Sequence, residues 1–212
     1  MAEDYRNTKY CPSLSDIVNK KNDVKNAILK EHARTKDMYT YISKNSEPFK
    51  QRFVEAYNGK CAYCGISIEI IPWRMFEIDH FIPKTADRFG GSKAKAGCIE
   101  NLVLSCCYCN RAKSNFECCD EDSHKLHPDS TGITNSFVRD NEYYIRINEN
   151  MKDDITVKSF HDKIELGNQL HRIDYLLMNM RGLCKVITDK HPAHAKLMNA
   201  IDLLQHKRNI MG

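Results

Sequence analysis

Two Cys-x-x-Cys pairs, Cys61–Cys64 and Cys106–Cys109, lie far apart in the chain and bracket an Asp79-His80 step, and Asn110 directly follows the last cysteine. Four thiolates at this spacing close a tetrahedral zinc site. Such a site draws two distant stretches together, and Asp79, His80 and Asn110 come with them. A carboxylate, an imidazole and an amide that meet at one point can hold a hard cation and supply a general base.

Ten cysteines in 212 residues would also suit a secreted disulfide scaffold. This chain is long for one, and its first residues, MAEDYRNTKY, lack the apolar stretch of an export signal. The expected compartment is therefore the reducing cytoplasm. No apolar run is long enough to cross a bilayer, and a 42% hydrophobic content is enough for a real core. The other six cysteines, Cys11, Cys98, Cys107, Cys118, Cys119 and Cys184, are read as small thiols. A Cys107-Tyr108-Cys109 chelate has poorer spacing. Cys118, Cys119, His124 and His127 suggest a second zinc, but their spacing is unlike common structural sites and fits a polar surface loop better. His171, His191, His194 and His206 have no motif partners and default to the surface.

The net charge of +4 is modest, and its distribution says more. From Lys84 to Asn115 the bases are Lys84, Arg88, Lys93, Lys95, Arg111 and Lys113, against only Asp87 and Glu100. A polyanionic partner and a solvated charged loop account for this excess equally well.

Three regions are expected: residues 1–48, helical; 49–116, the metal-bearing core; and 117–212, a hairpin followed by helices. In the first, Ser15 or Asp16 caps a helix carrying Ile17, Val18, Val24, Ile28 and Leu29. A helix from about Glu47 to Tyr57 places Phe49, Phe53 and Tyr57 on one face. In the core, the β-branched stretch Ile66 to Ile71 reads as a strand broken by Pro72, with Arg74 to His80 returning as its hairpin partner. Thr85 to Gly97 reads as a mobile loop, and a short helix starts near Asn110. In the third region, Phe137-Val138-Arg139 and Tyr143 to Ile147 form a hairpin. One helix carries Phe160 through Cys184, and another starts after Pro192.

The run Cys61-Ala62-Tyr63-Cys64-Gly65, then Phe76-Glu77-Ile78-Asp79-His80-Phe81-Ile82-Pro83, then Asn101-Leu102-Val103-Leu104-Ser105-Cys106-Cys107-Tyr108-Cys109-Asn110-Arg111-Ala112-Lys113 resembles the zinc-knuckle form of the HNH, or ββα-metal, endonucleases. The resemblance implies an α+β fold in which two strands and a helix clasp one catalytic metal, flanked by mainly helical extensions. It implies that His80 is the general base, that Asp79 and Asn110 are ligands of a catalytic Mg²⁺ or Mn²⁺, and that Asn101 steadies the loop around the histidine. Lys113 falls where the family often keeps a basic residue. From His127-Pro128 through the C-terminal helices, the layout loosely resembles HNH subunits of bacterial antiphage systems that work with an ATPase, such as Septu.

The chemistry can also be argued from the residues. Phosphodiester hydrolysis needs an activated water, a neutralised phosphate and a stabilised leaving oxygen. A neutral imidazole, with an ordinary pKa near ~6.5, accepts water's proton at cellular pH. Oxygen ligands select a hard cation, and Arg111 and Lys113 are placed to contact a nucleic-acid backbone. Glu77, two residues before Asp79, is either an orienting group or a solvated strand residue. The expected activity is metal-dependent cleavage of DNA, with RNA left open as substrate. The competing reading is a catalytically silent zinc module that binds nucleic acid or protein. The last helix is read chiefly as core, with docking of a partner as the alternative.

Overall fold

The computed structural model describes residues 3–44 and 48–211. Helices α1 (Ile17–Glu31), α2 (Tyr39–Ile42) and α3 (Pro48–Ala56) precede the first cysteine pair. α1 buries Ile17, Val24 and Ile28. Its N-cap, Asp16, takes a left-handed conformation and accepts from the Asn19 side chain rather than from a backbone amide. α3 begins with Pro48, whose missing N–H is harmless in a first turn. Glu47, its expected start, lies outside the described residues. Phe49 and Phe53 are fully buried, and Tyr57 follows just past the helix end.

The centre of the fold is β1 (Phe76–His80), α4 (Lys93–Ala96), β2 (Leu102–Cys106) and α5 (Cys107–Lys113). β1 and β2 pair antiparallel, with Asp79 opposite Val103 and His80 opposite Leu102. α5 packs on both strands, which gives the ββα unit that the resemblance implies.

The expected hairpin partner of β1 is wrong. Residues 66–71 do not form a strand; they contribute one isolated bridge, Lys60 to Ser67, and otherwise turn, with the Ile70 N–H donating to the Ser67 carbonyl at 2.9 Å. Ile66, Ile70 and Ile71 are buried there, so their β-branched character reflects packing rather than pairing. The true partner, β2, is an unbroken run, Leu-Val-Leu-Ser-Cys, with all five residues buried. A strand covered on both faces lacks apolar–polar alternation, which hides it from a period-two reading. The expected mobile loop at 85–97 contains a 3-10 turn, Asp87–Phe89, and α4, which Ser92 caps through the Lys95 N–H. α5 starts at Cys107, three residues before the expected Asn110.

The C-terminal region holds α6 (Asp120–Leu126), α7 (Gly132–Ser136), the hairpin β3 (Phe137–Arg139) and β4 (Ile145–Ile147), and then α8 (Ile155–Lys163), α9 (Gln169–Val186) and α10 (Pro192–Met211). The single helix expected from Phe160 to Cys184 is two helices. Glu165 turns into the left-handed region, and Asn168 caps α9 by accepting from the Leu170 N–H at 2.9 Å.

Both flanks are bonded to the turn between Cys61 and Cys64. Tyr5 donates its hydroxyl to the Tyr63 carbonyl at 2.6 Å. The Arg6 guanidinium donates from Nη1 to the carbonyls of Ala62 (2.7 Å) and Pro128 (2.8 Å) and from Nη2 to Asp4 (2.8 Å). Arg6 is 5% exposed, so water cannot replace these bonds. Gly65, at φ 81°, closes the turn, and a Cβ there would collide with the Arg6 backbone. Replacing Arg6 with Ala is expected to leave two buried carbonyls short of a donor, at about 1–3 kcal/mol each. Urea unfolding should show this loss, whereas Arg146→Ala, which breaks an exposed ion pair, should change stability by less than about 1 kcal/mol.

Candidate functional site

Cys61 and Cys64 sit on that turn, Cys106 ends β2 and Cys109 lies in the first turn of α5. All four are buried, and their Sγ atoms lie within 4.8 Å of one another. A tetrahedral centre with Zn–S bonds of about 2.3 Å requires sulfurs roughly 3.8 Å apart, and Cys64 Sγ and Cys106 Sγ are 3.8 Å apart. The site is positioned to hold a metal ion. Among the described residues no other group of three or more His, Cys, Asp or Glu side chains gathers in this way. In particular, Cys118, Cys119, His124 and His127 do not converge: Cys119 is exposed, and His127 turns its Nε2 to the Glu100 carbonyl at 3.0 Å.

On β1 the side chains alternate. Glu77 and Asp79 face α5, where Asn110 and Lys113, one turn apart, meet them in order. Asn110 Nδ2 donates to Glu77 Oε2 at 2.6 Å, and Lys113 Nζ donates to Asp79 Oδ1 at 3.1 Å. The second Asp79 oxygen accepts the Tyr63 hydroxyl at 2.6 Å. Burial pushes the Asp79 carboxyl up from its ordinary value, while Lys113 and Tyr63 act to keep it ionised. The acid that faces Asn110 is thus Glu77, and Asp79 lies deeper, bound to a lysine and a tyrosine. Arg111 is mostly exposed and approaches Glu77 at 3.7 Å.

His80 projects from the other face of β1. It lines a cavity of about 250 Å³ with Asp37, Tyr39, Thr40, Lys84 and Lys93. Burial, then the Lys84 ammonium, pushes its pKa down to about 4, against the opposing charge of Asp37. The imidazole is therefore neutral at neutral pH. Asn101 fixes the backbone beyond it, accepting from the Ile82 N–H at 2.8 Å and donating to the carbonyls of Ile82 (3.0 Å) and Ala96 (2.9 Å). Glu77 and Asn110 line a separate cavity of about 540 Å³. Tyr39 borders both cavities, and its ring centroid is 4.4 Å from that of His80. His80 and Asn110 are thus brought to neighbouring cavities rather than to one pocket.

Several participants were not visible in the sequence. Tyr63 stands inside the first cysteine pair, but nothing in the spacing marks its reach to Asp79. Asp37 and Tyr39 come from the N-terminal region and dock through the Met38 N–H, which donates to the Gly97 carbonyl at 2.9 Å. Asp37 Oδ1 is buried and has no hydrogen-bond partner among the described residues. His171, expected at the surface, is 4% exposed, with Nε2 4.0 Å from Cys109 Sγ. Lys113 also needs correction as a nucleic-acid contact. It is 1% exposed, because its place on the inner face of α5 points it at Asp79 and the His80 carbonyl. Lys113→Met is expected to strand the Asp79 carboxylate, at a cost of about 3–5 kcal/mol, measured by denaturant unfolding.

Residues 61–116 match the family model described as HNH endonuclease. No curated protein and no solved structure matches the chain. The matched span runs from Cys61 through β1, β2 and α5 and includes Asp79, His80, Asn101 and Asn110. Residues 61–116 are thus similar to an HNH endonuclease domain, built around a four-cysteine cluster that can hold a metal ion.

Proposed function

We propose that this protein is a metal-dependent endonuclease that hydrolyses phosphodiester bonds of DNA. The observation that carries the reading is His80: a neutral imidazole in a cavity flanked by Lys84 and Lys93, on the strand that also bears Glu77 and Asp79. A ring nitrogen of His80 accepts the proton of the attacking water. Lys84 and Lys93 offset the charge of the phosphate. Asn101 holds the chain on either side of this cavity, so the imidazole keeps its place during the transfer. Arg111, exposed beside Glu77, contacts the backbone of the strand.

Asp79, Asn110 and Glu77 would hold the divalent ion. The donor set is oxygen, which suits Mg²⁺ or Mn²⁺. Asn110 donates through its amide nitrogen and so turns its oxygen end to other partners. Asp79 has two hydrogen bonds on a carboxylate with about four acceptor positions. When bound, the ion would polarise the phosphate and stabilise the leaving oxygen. The four cysteines would hold zinc in a structural role, since protein sulfur fills every position and none is left for water.

A docked partner subunit, an ATPase by the likeness to antiphage HNH subunits, is part of the same proposal. It is supported by Leu203 and Ile210 of α10, which are about three-quarters exposed, as apolar side chains at a contact surface would be.

Plasmid cleavage with Mg²⁺ or Mn²⁺ tests the enzyme. His80→Ala is expected to lower the rate by about 10²–10⁴-fold and to leave zinc content and melting temperature unchanged. Equal cleavage by both proteins would remove His80 from its role. DNA binding with no cleavage under any divalent metal would favour the silent zinc module. For the zinc, Cys109→Ser is expected to abolish stoichiometric binding and lower the melting temperature sharply. Structural zinc contributes about 10–16 kcal/mol in small sites, comparable with the whole stability of a domain. Metal analysis and thermal unfolding check this.

A further inference from the structure

We infer that the cavity of about 540 Å³ beside Glu77 and Asn110 takes an unpaired nucleobase of the substrate strand, stacked on Trp73, so that the preferred substrate is single-stranded close to the cut. The inference rests on the nuclease reading and narrows its substrate. Trp73 is the only tryptophan in the chain and is 42% exposed. It opens the 3-10 turn Trp73–Met75, which runs directly into β1. The ring is therefore tied to the strand that carries Glu77, Asp79 and His80. The Lys50 ammonium lies 5.1 Å from the ring centroid, close enough to fix the indole by cation–π attraction. Arg74, next in the chain, is exposed and has no ion-pair partner among the described residues. Tyr39 adds a second aromatic wall, and its contact with His80 joins this cavity to the one that His80 lines.

Aromatic faces interleaved with cations are how proteins grip single strands: the rings stack on bases and the cations follow phosphates. The cavity volume falls within the roughly 300–1,000 Å³ usual for small-molecule sites. A base inside a duplex is stacked on both faces and cannot enter such a cavity without being extruded, at a cost of a few kcal/mol. An unpaired base pays no such cost, so the cavity selects strands with single-stranded character. Arg74 is placed for the phosphate next to that base, and His80 for the neighbouring phosphate that is cut.

Because Trp73 is the sole tryptophan, intrinsic fluorescence reads this cavity directly. The experiment uses the full chain with zinc in place and no Mg²⁺ or Mn²⁺ added, titrated with a short single-stranded oligonucleotide and with the blunt duplex of the same sequence. The single strand is expected to quench Trp73 over the same concentrations at which the anisotropy of a labelled strand reports binding, and the duplex to leave the indole emission unchanged. Trp73→Ala is expected to weaken single-strand binding by roughly 5- to 150-fold, and Trp73→Phe, which keeps an aromatic face, to recover most of the loss. Strand binding with unchanged emission, equal quenching by the duplex, full affinity in Trp73→Ala, or no binding of either oligonucleotide would each overturn the inference. The fluorescence titration needs no substitution, so misfolding of a variant cannot hide the answer. Plasmid cleavage judges the nuclease reading separately: a protein that cuts while Trp73 stays silent loses only this inference, and one that quenches without cutting loses only the catalytic assignment.

Discussion

Four buried sulfurs within 4.8 Å of one another cannot all be thiolates without a cation among them, because like charges at that separation in a dry interior repel strongly. A metal ion bound there would turn this liability into a crosslink. It would join the turn at Cys61–Cys64 to the end of β2 and the start of α5, and so to β1, which pairs with β2. The elements that face the candidate site would then hang from that crosslink. α5, which carries Cys109 in its first turn, presents Asn110 and Lys113 to Glu77 and Asp79.

The flanks are bound to the same place by polar contacts that water does not reach. Arg6 joins the N-terminal segment, the cysteine turn and Pro128 of the C-terminal region through one guanidinium. Its planar fork can serve several acceptors at once, which a lysine ammonium does less well. From the other side, His171 of α9 lies against Cys109, and Asp174 one turn along is paired with Arg208 of α10 at 2.9 Å. Buried ion pairs of this kind add little net stability, but they penalise any arrangement that leaves one partner alone. They fix where the C-terminal helices sit relative to the cluster.

Lys113 shows how such pairing shapes the site. Its ammonium, bonded to Asp79 and to the His80 carbonyl, sets the end of β1 and favours the charged carboxylate in a region where burial favours the neutral acid. Beyond it the site divides. Glu77, Asn110 and Trp73 share one cavity and His80 the other, with Tyr39 between them. The N-terminal region therefore contributes walls to the site as well as bulk to the fold.

The cysteine spacing, read with Asp79, His80, Asn101 and Asn110, carried the α+β core, the cysteine cluster and the likeness to the HNH family, because covalent order and ligand chemistry are local properties of a chain. The hairpins and helices with ordinary periodicity, β3–β4 and α3 among them, were legible for the same reason. Only the tertiary structure decided that β1 pairs with β2 and not with residues 66–71, that Lys113 and His171 point inward, and that Asp37, Tyr39 and Trp73 line the cavities. Those outcomes depend on which surfaces meet after the chain closes. Burial on both faces erases the alternation that marks a strand, and a charged side chain looks the same in sequence whether it ends in water or against a buried carboxylate.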